Sequence, residues 1–293
     1  MWKILLLGKI GQLGYELQRT LSPLGEITAL DYPEIDFSNS IQLAPQILSL
    51  KPDVLVNAVA YTNVDKAEQE TDLANAINGT ACEVLAKTAT KMNIPFIHFS
   101  TDYVFDGDKG APYIETDMVN PLNAYGKSKL IGEQAIQEFG NNYLIIRTSW
   151  LYSLRRENFV LKVLQLARKQ SKMRMVNDQT GSPTSARILA EITATALGMV
   201  KQAGIKWLES RQGIYHLAGD GAASRYEFAQ AILEFDPKRE EQIVTEIQPA
   251  SSTEFPLPAR RPVNSALNCD KFEQAFSLRM PPWKEVLRLE LEP

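Results

Sequence analysis

The chain has few of the residues that build metal centres and disulfide frameworks. Its 293 residues include only two cysteines and two histidines, at Cys82, Cys269, His98 and His216. The four are dispersed and form no CxxC or His/Cys spacing, so we predict neither a structural zinc site nor a catalytic metal. A cysteine count this low, without a paired pattern, is typical of a reducing compartment, and we expect a cytoplasmic protein.

Excess charge and long apolar runs are also lacking. Lys and Arg number 31 against 35 Asp and Glu, a formal net charge of −4, so we expect no nucleic-acid partner. No apolar run approaches the ~20 residues that span a bilayer, so no membrane partner is expected. The opening run of residues 1–7 is too short for a signal peptide. A hydrophobic content of 44% is enough for a sizeable core in one large domain or two.

A glycine-punctuated turn near the start of the chain predicts a dinucleotide site. Residues 3–7 form an apolar run of strand length, and a helical pattern follows with Leu13, Leu17 and Leu21 on one face. Between them lie Gly8, Gly11 and Gly14, in the spacing GxxGxxG rather than the stricter GxGxxG. A strand, a glycine turn and a helix place backbone N–H groups against a pyrophosphate. The alternative is an ordinary strand–helix turn.

The second predicted strand, residues 26–30, ends at an acidic residue. Asp31 lies 23 residues after Gly8, where a carboxylate can accept hydrogen bonds from the adenosine ribose of a dinucleotide. Such a carboxylate repels a 2′-phosphate and makes NADH usable. A shifted loop in which Lys9 or Arg19 accepts NADPH is the alternative.

Strand and helix patterns alternate through the first 150 residues. Apolar strand-like runs cover residues 3–7, 26–30, 53–58, 94–99 and 143–147, and helical patterns cover residues 40–50, 68–76, 81–92 and 125–139. This order predicts an α/β fold with a doubly wound parallel sheet of the Rossmann type. Gly8, Asp31, residues 58–62, Ser100 and Thr101 all follow strands. Ligands bind at the carboxyl ends of such strands, so we expect a nucleotide cofactor there.

The second half of the chain is less regular. Helical patterns cover residues 158–169, 186–200 and 283–291, and residues 213–218 read as a strand that returns to the sheet. Residues 224–227 have capping-box spacing, and residues 253–262 form a proline-broken loop. We predict a dinucleotide-binding Rossmann domain in residues 1–150, with 185–218 returning to it. Residues 151–184 and 219–293 are predicted to form a smaller α/β substrate-binding domain.

One short motif carries candidate acid–base chemistry. Tyr125 and Lys129 are four residues apart on a predicted helix and therefore share a face. An ammonium beside a phenol lowers its pKa from a starting value near ~10. Such a tyrosine exchanges a proton with a substrate oxygen at neutral pH. The spacing is common by chance, so it has meaning only together with the predicted dinucleotide turn.

These motifs together resemble the extended short-chain dehydrogenase/reductase family, and within it the dTDP-4-dehydrorhamnose reductase family. The resemblance extends almost end to end. It is carried by the glycine turn, by Ser100-Thr101-Asp102-Tyr103-Val104-Phe105, by Tyr125-Gly126-Lys127-Ser128-Lys129, by Arg147-Thr148-Ser149-Trp150-Leu151-Tyr152 and by Asp178-Gln179-Thr180-Gly181-Ser182-Pro183-Thr184. The STDYVF block is far more specific than YxxxK.

The resemblance implies a reaction and three catalytic residues. NADPH or NADH delivers hydride to C4 of dTDP-4-dehydro-β-L-rhamnose, which gives dTDP-L-rhamnose. Tyr125 protonates the forming alkoxide, Lys129 lowers the tyrosine pKa and holds the nicotinamide ribose, and Thr101 donates to the carbonyl oxygen. Which nucleotide and sugar this chain uses, and which cofactor it prefers, are not fixed by any residue.

The resemblance also implies the binding residues. The expected cofactor contacts, besides Tyr125 and Lys129, are Gly8, Gly11, Gln12, Leu13, Asp31, Asp36, Phe37, Ala58, Ala60, Tyr61, Thr62 and Phe99. The expected sugar-nucleotide contacts are Thr101, Asp102 and Trp150, although Trp150 is equally consistent with a core aromatic. We add Arg261 for the substrate diphosphate, because a guanidinium fork matches phosphate oxygens. Solvated surface charge is the alternative for Arg261.

Two departures from the family pattern concern substrate and metal. Residues 153–156 form a bulky basic loop where relatives often have a glycine-rich turn, which leaves substrate preference open if the loop borders the sugar pocket. Some members bind magnesium through carboxylates at a subunit contact. Glu16 is present here, but Arg187 stands where a second acid is expected, so no Mg²⁺ site is predicted. A monomer and a homodimer are both consistent with the sequence.

Two other functions compete with the reductase. One is a sugar-nucleotide epimerase or 4,6-dehydratase. A dehydratase typically has Asp-Glu after the threonine, whereas here Asp102 is followed by Tyr103. The other is a regulatory subunit of reductase-like fold, as in methionine adenosyltransferase complexes. A binding module has no chemical use for Thr101, Tyr125 and Lys129 together, so the reductase is favoured.

Overall fold

A computed structural model describes residues 1–292 of the chain, and Pro293, the last residue of the predicted second domain, lies outside the described residues. The strands are β1 (Trp2–Leu7), β2 (Gly25–Leu30), β3 (Val54–Asn57), β4 (Phe96–Thr101), β5 (Tyr143–Thr148), β6 (Leu151–Tyr152), β7 (Lys172–Val176), β8 (Thr180–Gly181), β9 (Thr184–Ser185), β10 (Gly213–His216), β11 (Ala223–Ser224) and β12 (Glu246–Ala250). The helices are α1 (Gln12–Leu21), α2 (Ser40–Leu50), α3 (Val64–Ala67), α4 (Thr71–Asn75), α5 (Ala81–Met92), α6 (Ala124–Phe139), α7 (Phe159–Ala167), α8 (Ala186–Ala203), α9 (Ile205–Glu209), α10 (Arg225–Glu234), α11 (Asp270–Phe276) and α12 (Trp283–Leu291).

The centre of the molecule is a six-stranded parallel sheet in the order β2-β1-β3-β4-β5-β10. Every residue of its middle strands β3 and β4 is buried, as expected for a sheet covered on both faces. The chain builds outward from β1 to β2 and then crosses to β3 on the other side of β1. The predicted doubly wound sheet is therefore confirmed, with its topological switch point between β1 and β3.

Helices cover both faces of this sheet. On one face α1 packs against α8, and Leu17 and Leu197 are buried in a common core with the sheet. On the other face α2, α5 and α6 contribute Leu43, Leu85 and Ile136 to a second core. Each helix buries one apolar stripe, which is what the 3.6-residue periodicity of the sequence predicts.

A smaller unit is built from the second half of the chain. Strands β7 and β12 pair in parallel, and helices α7, α10 and α12 enclose a third core around Val163 and Phe228. The predicted domain boundaries stay a prediction. One feature differs from them, because Phe272 and Phe276 of α11, inside the predicted segment 219–293, join the core of the large sheet. Their aromatic rings stack on each other and contact Tyr215 of β10.

The predicted separation between the helical patterns 68–76 and 81–92 is wrong. A π-helical turn, Ala76–Thr80, joins α4 to α5 without interruption. Asn78 is 1% exposed and bonds the backbone N–H and C=O of Tyr61 and the hydroxyl of Ser128. The widened turn aims this amide at two other segments while the helix continues, as π-turns inside helices often do at functional sites.

Across residues 1–292, every helix is either too short or too polar to serve as a membrane span.

Candidate active site

The glycine turn after β1 is shaped by two close backbone approaches. Gly8 has a φ of +95°, and a Cβ there would lie 2.8 Å from the carbonyl carbon of Ala58. A Cβ on Gly14 would lie 1.8 Å from the carbonyl oxygen of Gly8. Gly11 is the N-cap of α1 and gives that helix no side-chain cap. The first N–H groups of α1 therefore face the end of β1, as a pyrophosphate site requires.

A cleft of about 810 Å³ opens at the carboxyl ends of β1, β3 and β4. A second recess of about 540 Å³ adjoins it beyond β2. The predicted site residues that line the cleft are Gly8, Gly11, Gln12, Leu13, Asp31, Ala58, Ala60, Thr62, Phe99, Thr101, Asp102, Tyr125, Lys129 and Trp150. Asp36, Phe37 and Tyr61 line the recess. Arg261 lines neither, so the structure brings together all predicted site residues except this one.

Asp31 bonds the glycine turn itself. Its carboxylate accepts hydrogen bonds from the backbone N–H groups of Ile10, at 3.0 Å, and Tyr32, at 2.9 Å. The two cations considered for NADPH are paired with acids. Lys9 Nζ lies 2.6 Å from Glu34 Oε1, and Arg19 lies beside Glu16 and Glu191. Both pairs are partly exposed, so a competing phosphate can displace them at little cost.

The recess is lined by polar groups held in place by local hydrogen bonds. The Asp36 carboxylate accepts from the N–H and the hydroxyl of Ser38, which lowers the pKa of Asp36. Tyr61 donates its hydroxyl to Glu70 at 2.5 Å, and burial together with this acid raises the pKa of Tyr61 to about 12. Tyr61 is therefore a neutral hydrogen-bonding phenol at the rim of the recess.

Tyr125 stands in the first turn of α6, opposite the end of β4. The helix begins at this point because Asn123 caps it by accepting from Gly126 N at 2.8 Å. Burial raises the pKa of Tyr125, and a hydrogen bond with the Thr101 hydroxyl opposes that rise. The net rise is caused by burial, and the expected lowering of this pKa by Lys129 stays a prediction. A phenol that keeps its proton at neutral pH is the form that a proton donor needs.

Lys129 makes its hydrogen bonds with residues of β4. Its side chain is 1% exposed, and Nζ lies 2.7 Å from the carbonyl oxygen of Phe99 and 3.1 Å from Nε2 of His98. Burial lowers the pKa of Lys129, because a charged ammonium loses its hydration there. Lys129 therefore lines the same cleft as Tyr125, while its ammonium nitrogen is hydrogen-bonded to β4.

Asp102 holds the ends of several segments together. Its 3%-exposed carboxyl accepts from the hydroxyls of Thr101 at 3.1 Å, Ser149 at 3.0 Å and Ser265 at 2.5 Å. Burial raises the pKa of Asp102 against the effect of these donors. The group thus orients Thr101, and its predicted contact with a sugar nucleotide stays a prediction.

Trp150 lies at the boundary between the cleft and the third core. Its backbone φ is +43°, rare for a residue other than glycine, and its ring packs over Gly181, where a Cβ would lie 2.4 Å from Cε2. The indole contacts the cluster around Phe228 and also lines the cleft. Both interpretations of Trp150 therefore apply, because the residue packs against the third core and also lines the cleft.

The sequence reasoning missed Arg225. Its guanidinium carbon lies 3.5 Å from the centroid of a Trp150 ring, and the neighbouring Tyr103 phenol raises its pKa against the lowering by burial. Arg225 is the first residue of α10, directly after the Ser224 cap, and the predicted capping box is confirmed. A cation in the first turn opposes the helix dipole, and this is the signal that could have identified Arg225.

Arg261 is ion-paired within the chain. Its Nη2 lies 2.8 Å from Asp65 Oδ2 and its Nη1 3.1 Å from Asp65 Oδ1. The side chain is 17% exposed, so the alternative of a solvated surface charge is wrong. Burial lowers the pKa of Arg225, and the nearby charge of Arg261 lowers it further. Tyr103 influences the pKa of both arginines, so the two guanidinium groups lie near the same phenol.

The basic loop after β6 meets the glycine turn rather than the sugar side of the cleft. Arg156 donates to the carbonyl of Ile10 at 2.9 Å, and the Ser153 hydroxyl donates to Gln12 at 2.9 Å. Arg155 stacks on the Tyr15 ring at 3.4 Å. The unusual sequence of this loop therefore bears on the dinucleotide side of the cleft.

The candidate metal residues are engaged in ion pairs. Glu16 bonds Arg19, and Arg187 lies 3.5 Å from Glu191. In the part of the chain that the structure describes, no three His, Cys, Asp or Glu side chains are grouped as a metal site.

A glycine turn at the switch point of a doubly wound sheet supplies the cradle for a dinucleotide. Thr101, Tyr125 and Lys129 converge on the same cleft. Together they define a nicotinamide-dependent oxidoreductase of the short-chain dehydrogenase/reductase class.

Comparison with known proteins narrows this class. The chain belongs to the family described as RmlD substrate binding domain, whose model matches residues 2–293.

Relatives of this chain agree over nearly their whole length. The chain is 42% identical over 286 residues to a dTDP-4-dehydrorhamnose reductase of Escherichia coli K12, covering 96% of this chain and 94% of that protein. A crystal structure of a dTDP-4-dehydrorhamnose reductase from Clostridium acetobutylicum superposes with a TM-score of 0.89 at 34% identity, covering 99% and 98% of the two chains. The Bacillus anthracis reductase, solved in complex with NADP, gives 0.87 at 33%, with coverages of 99% and 98%.

Proposed function

We propose that the chain reduces dTDP-4-dehydro-β-L-rhamnose to dTDP-L-rhamnose with NADPH or NADH. The observation that carries this function is the placement of a protonated phenol, Tyr125, and a hydroxyl, Thr101, in one cleft with the glycine turn. The relatives named dTDP-4-dehydrorhamnose reductase supply the substrate.

The residues of the cleft fit a bound dinucleotide. The glycine turn and the N-terminus of α1 hold its pyrophosphate, and the recess beyond β2 takes its adenosine end. When bound, the reduced nicotinamide supplies the hydride for C4 of the sugar. Because Lys9 and Arg19 are paired with acids and Asp31 lies at the cleft, we expect NADH to be accepted as well as NADPH.

Tyr125 and Thr101 act on the C4 oxygen of the sugar. Tyr125 donates its proton as negative charge develops on that oxygen, which adds about 10²–10⁴-fold in rate. Thr101 donates a hydrogen bond to the same oxygen, and a pre-placed donor of this kind is worth ~3–4 kcal/mol. In the structure the single proton of the Thr101 hydroxyl is donated to Asp102, so donation to the substrate oxygen requires this hydroxyl to rotate away from Asp102.

The sugar nucleotide extends from this centre towards Trp150 and the two arginines. Arg225 and Arg261 carry two positive charges, and of the described acids only Asp65 forms an ion pair with either of them. This local excess of positive charge favours a diphosphate. We propose that Arg225 and Arg261 bind the diphosphate, and that Trp150 and Asp102 border the sugar nucleotide.

Replacing Arg261 tests the diphosphate site. We expect Arg261→Ala to raise KM for the sugar nucleotide at least tenfold and to leave KM for the cofactor unchanged. Lys284→Ala, which removes an exposed cation paired with Glu234, is the control. If KM for the sugar nucleotide is unchanged in Arg261→Ala, Arg261 does not bind the diphosphate, and its role is limited to the ion pair with Asp65.

The reaction itself is tested by product analysis. Purified protein is given NADPH or NADH with freshly prepared dTDP-4-dehydro-6-deoxy-L-mannose, and dTDP-glucose, which lacks the keto group, is the control. We expect cofactor oxidation with the keto sugar alone and a product heavier by two hydrogens. Conversion of dTDP-glucose would instead indicate an epimerase or a dehydratase.

We also propose a cytoplasmic enzyme that acts as a monomer or a homodimer, without a nucleic-acid or membrane partner. The free thiols of Cys82 and Cys269 and the formal charge of −4 support this proposal.

A further inference from the structure

The basic loop between β6 and α7, residues 153–158, contributes to the wall of the cleft at the glycine turn. Arg156 lines the cleft together with Gly11 and Gln12. Its Nη1 donates to the carbonyl oxygen of Ile10, the residue before Gly11, at 2.9 Å. A cation from the second half of the chain therefore reaches the turn that is proposed to hold the pyrophosphate of the dinucleotide.

No acid neutralises this cation in the part of the chain that the structure describes. Lys9 and Arg19, the other cations near the turn, are paired with acids. Glu157 also lines the cleft, but within residues 1–292 it forms no ion pair with Arg156 or with another cation. A guanidinium has five N–H donors, and Ile10 takes one of those of Arg156. Donors and charge therefore remain for an anion.

The backbone at Arg156 has a conformation that favours glycine. Its φ is +58°, in the left-handed region that residues with a side chain rarely adopt. The family pattern often has a glycine-rich turn at this place. Backbone strain of this kind is found mainly where a side chain has a function, such as holding a ligand. An arginine in place of glycine is consistent with a use for its guanidinium.

Asn158 holds the loop in place and determines how the Gln12 amide is oriented. Asn158 Oδ1 accepts from Leu161 N at 3.2 Å. A peptide N–H can only donate, so the other amide atom of Asn158 is its NH₂ group. This group donates to the carbonyl oxygens of Ser153, at 2.7 Å, and Arg156, at 3.1 Å. It also donates to Gln12 at 3.1 Å, so the Gln12 atom that faces the loop is the amide oxygen.

The NH₂ group of Gln12 is then a donor at the start of α1. Gln12 is the first residue of that helix and lines the cleft. Among residues 1–292, no group accepts a hydrogen bond from its NH₂. The Arg156 guanidinium, the Gln12 NH₂ and the first N–H groups of α1 therefore form a set of donors at one place. Such a set, with one positive charge, suits a diphosphate.

We propose that Arg156 and the side chain of Gln12 bind the pyrophosphate of the dinucleotide, together with the first N–H groups of α1. This assignment rests on the proposed function, because it concerns the cofactor of that reaction. NADH and NADPH share the pyrophosphate and differ in the 2′-phosphate. Arg156 therefore strengthens the binding of both cofactors by the same factor and does not discriminate between them.

Cofactor binding without the sugar nucleotide tests this role of Arg156. Isothermal titration calorimetry on the whole chain measures Kd for NADH, NADPH and ADP-ribose, which all carry the diphosphate. We expect Arg156→Gln to raise the three Kd values by one common factor of about tenfold or more. Arg155→Gln is the matched control, because it removes the same charge from the adjacent residue, which stacks on the Tyr15 ring outside the cleft lining. Its Kd values should stay within about twofold of wild type.

The effect of salt separates a direct phosphate contact from a structural role of Arg156. Salt screens an exposed guanidinium that touches phosphate, so its removal makes log Kd rise less steeply with log salt. Loss of the hydrogen bond to Ile10 alone would raise Kd without changing this slope. We expect a shallower slope in Arg156→Gln than in wild type and Arg155→Gln. Equal slopes in the three proteins would overturn the direct contact.

Gln12→Glu tests the second donor. A carboxylate keeps an acceptor for Asn158 and replaces the NH₂ group with a charged oxygen. An acid in the first turn favours a helix, so we expect the fold to be kept. Kd for NADH and NADPH should both rise about tenfold or more, because like charges then face each other. An unchanged Kd would remove the Gln12 side chain from the pyrophosphate site.

The remaining outcomes are distinct. If Arg156→Gln does not fold, Arg156→Gly removes the same charge with a residue that suits the backbone. A rise in Kd for NADPH alone would place Arg156 at the 2′-phosphate and overturn the assignment. Equal Kd values in wild type and both Arg156 variants would refute the role of Arg156 and leave the proposed function standing. A wild-type protein that binds none of the three dinucleotides would refute the proposed function together with this assignment.

Discussion

Trp150 lies where the cleft borders the core of the smaller unit. The indole is held between the Arg225 guanidinium and the backbone of Gly181, and its own φ is +43°. A residue in this region costs about 1–3 kcal/mol unless its surroundings stabilise it. The cost is consistent with a side chain whose placement matters for ligand binding.

Gly181→Ala tests the placement of the indole. The added Cβ would overlap Trp150, with 2.4 Å to Cε2, so we expect the ring to be displaced into the cleft. KM for the sugar nucleotide should rise about tenfold, with KM for the cofactor unchanged. Gly198→Ala in α8 is the control, because its nearest neighbour is 3.5 Å away. Equal kinetics in the two variants would show that the position of Trp150 is irrelevant to binding.

Helix α6 is fixed to the sheet by one buried ion pair. Glu133 and Arg147 of β5 have side chains 0% and 2% exposed, joined at 2.9 Å and 2.6 Å. The same helix carries Tyr125 and Lys129 near its start, so this pair sets the position of both relative to β4. Removing one partner of such a pair leaves an uncompensated charge in the core.

Glu133→Gln is therefore expected to destabilise the protein by about 3–5 kcal/mol. Urea unfolding at pH 7 measures this change. Glu83→Gln on α5 removes an exposed pair with Lys87 and should cost less than about 0.5 kcal/mol. If Glu133→Gln and Glu83→Gln unfold with the same urea midpoint and slope, the buried ion pair does not stabilise the attachment of α6 to the sheet.

At the scale of the whole molecule, the Asp65–Arg261 pair joins the segment after β3 to the loop near the C-terminal end. Asp65 also accepts from Ala259 N at 3.1 Å, so its carboxylate is bonded to two points of that loop. Arg261 holds the pKa of Asp65 below its ordinary value. The pair thereby stabilises the folded state above the ordinary pKa of an aspartate, near ~4, and this stabilisation is lost as the pH falls through the lowered pKa.

Asp65→Asn should accordingly lower the free energy of unfolding at pH 7 by about 1 kcal/mol, since both side chains are partly exposed. The difference between wild type and variant should shrink as the pH approaches ~3. Denaturant unfolding at the two pH values measures it. If the difference in the free energy of unfolding between wild type and Asp65→Asn is the same at both pH values, the charge of the Asp65 carboxylate does not stabilise the fold.

Much of this architecture could be predicted from the sequence because the signals are local. The periodicity of residues 40–50 and 283–291 predicts helices with the bounds that the structure has. The glycine spacing locates the turn at the switch point. The signals failed where tertiary contacts decide. The π-turn at Asn78, the pairing of Arg261 with Asp65 and the direction of Lys129 each depend on partners more than 15 residues away in sequence. Arg225 was missed although a local signal was present, because a cation in the first turn of a helix opposes the helix dipole.

The most direct test of the proposed function is the rate of cofactor oxidation by Tyr125→Phe with dTDP-4-dehydro-6-deoxy-L-mannose. Removal of the phenolic hydroxyl leaves the ring in place, so we expect both KM values to stay within about threefold and kcat to fall 10²–10⁴-fold. A variant that keeps most of the wild-type kcat would contradict the assignment of Tyr125 as proton donor.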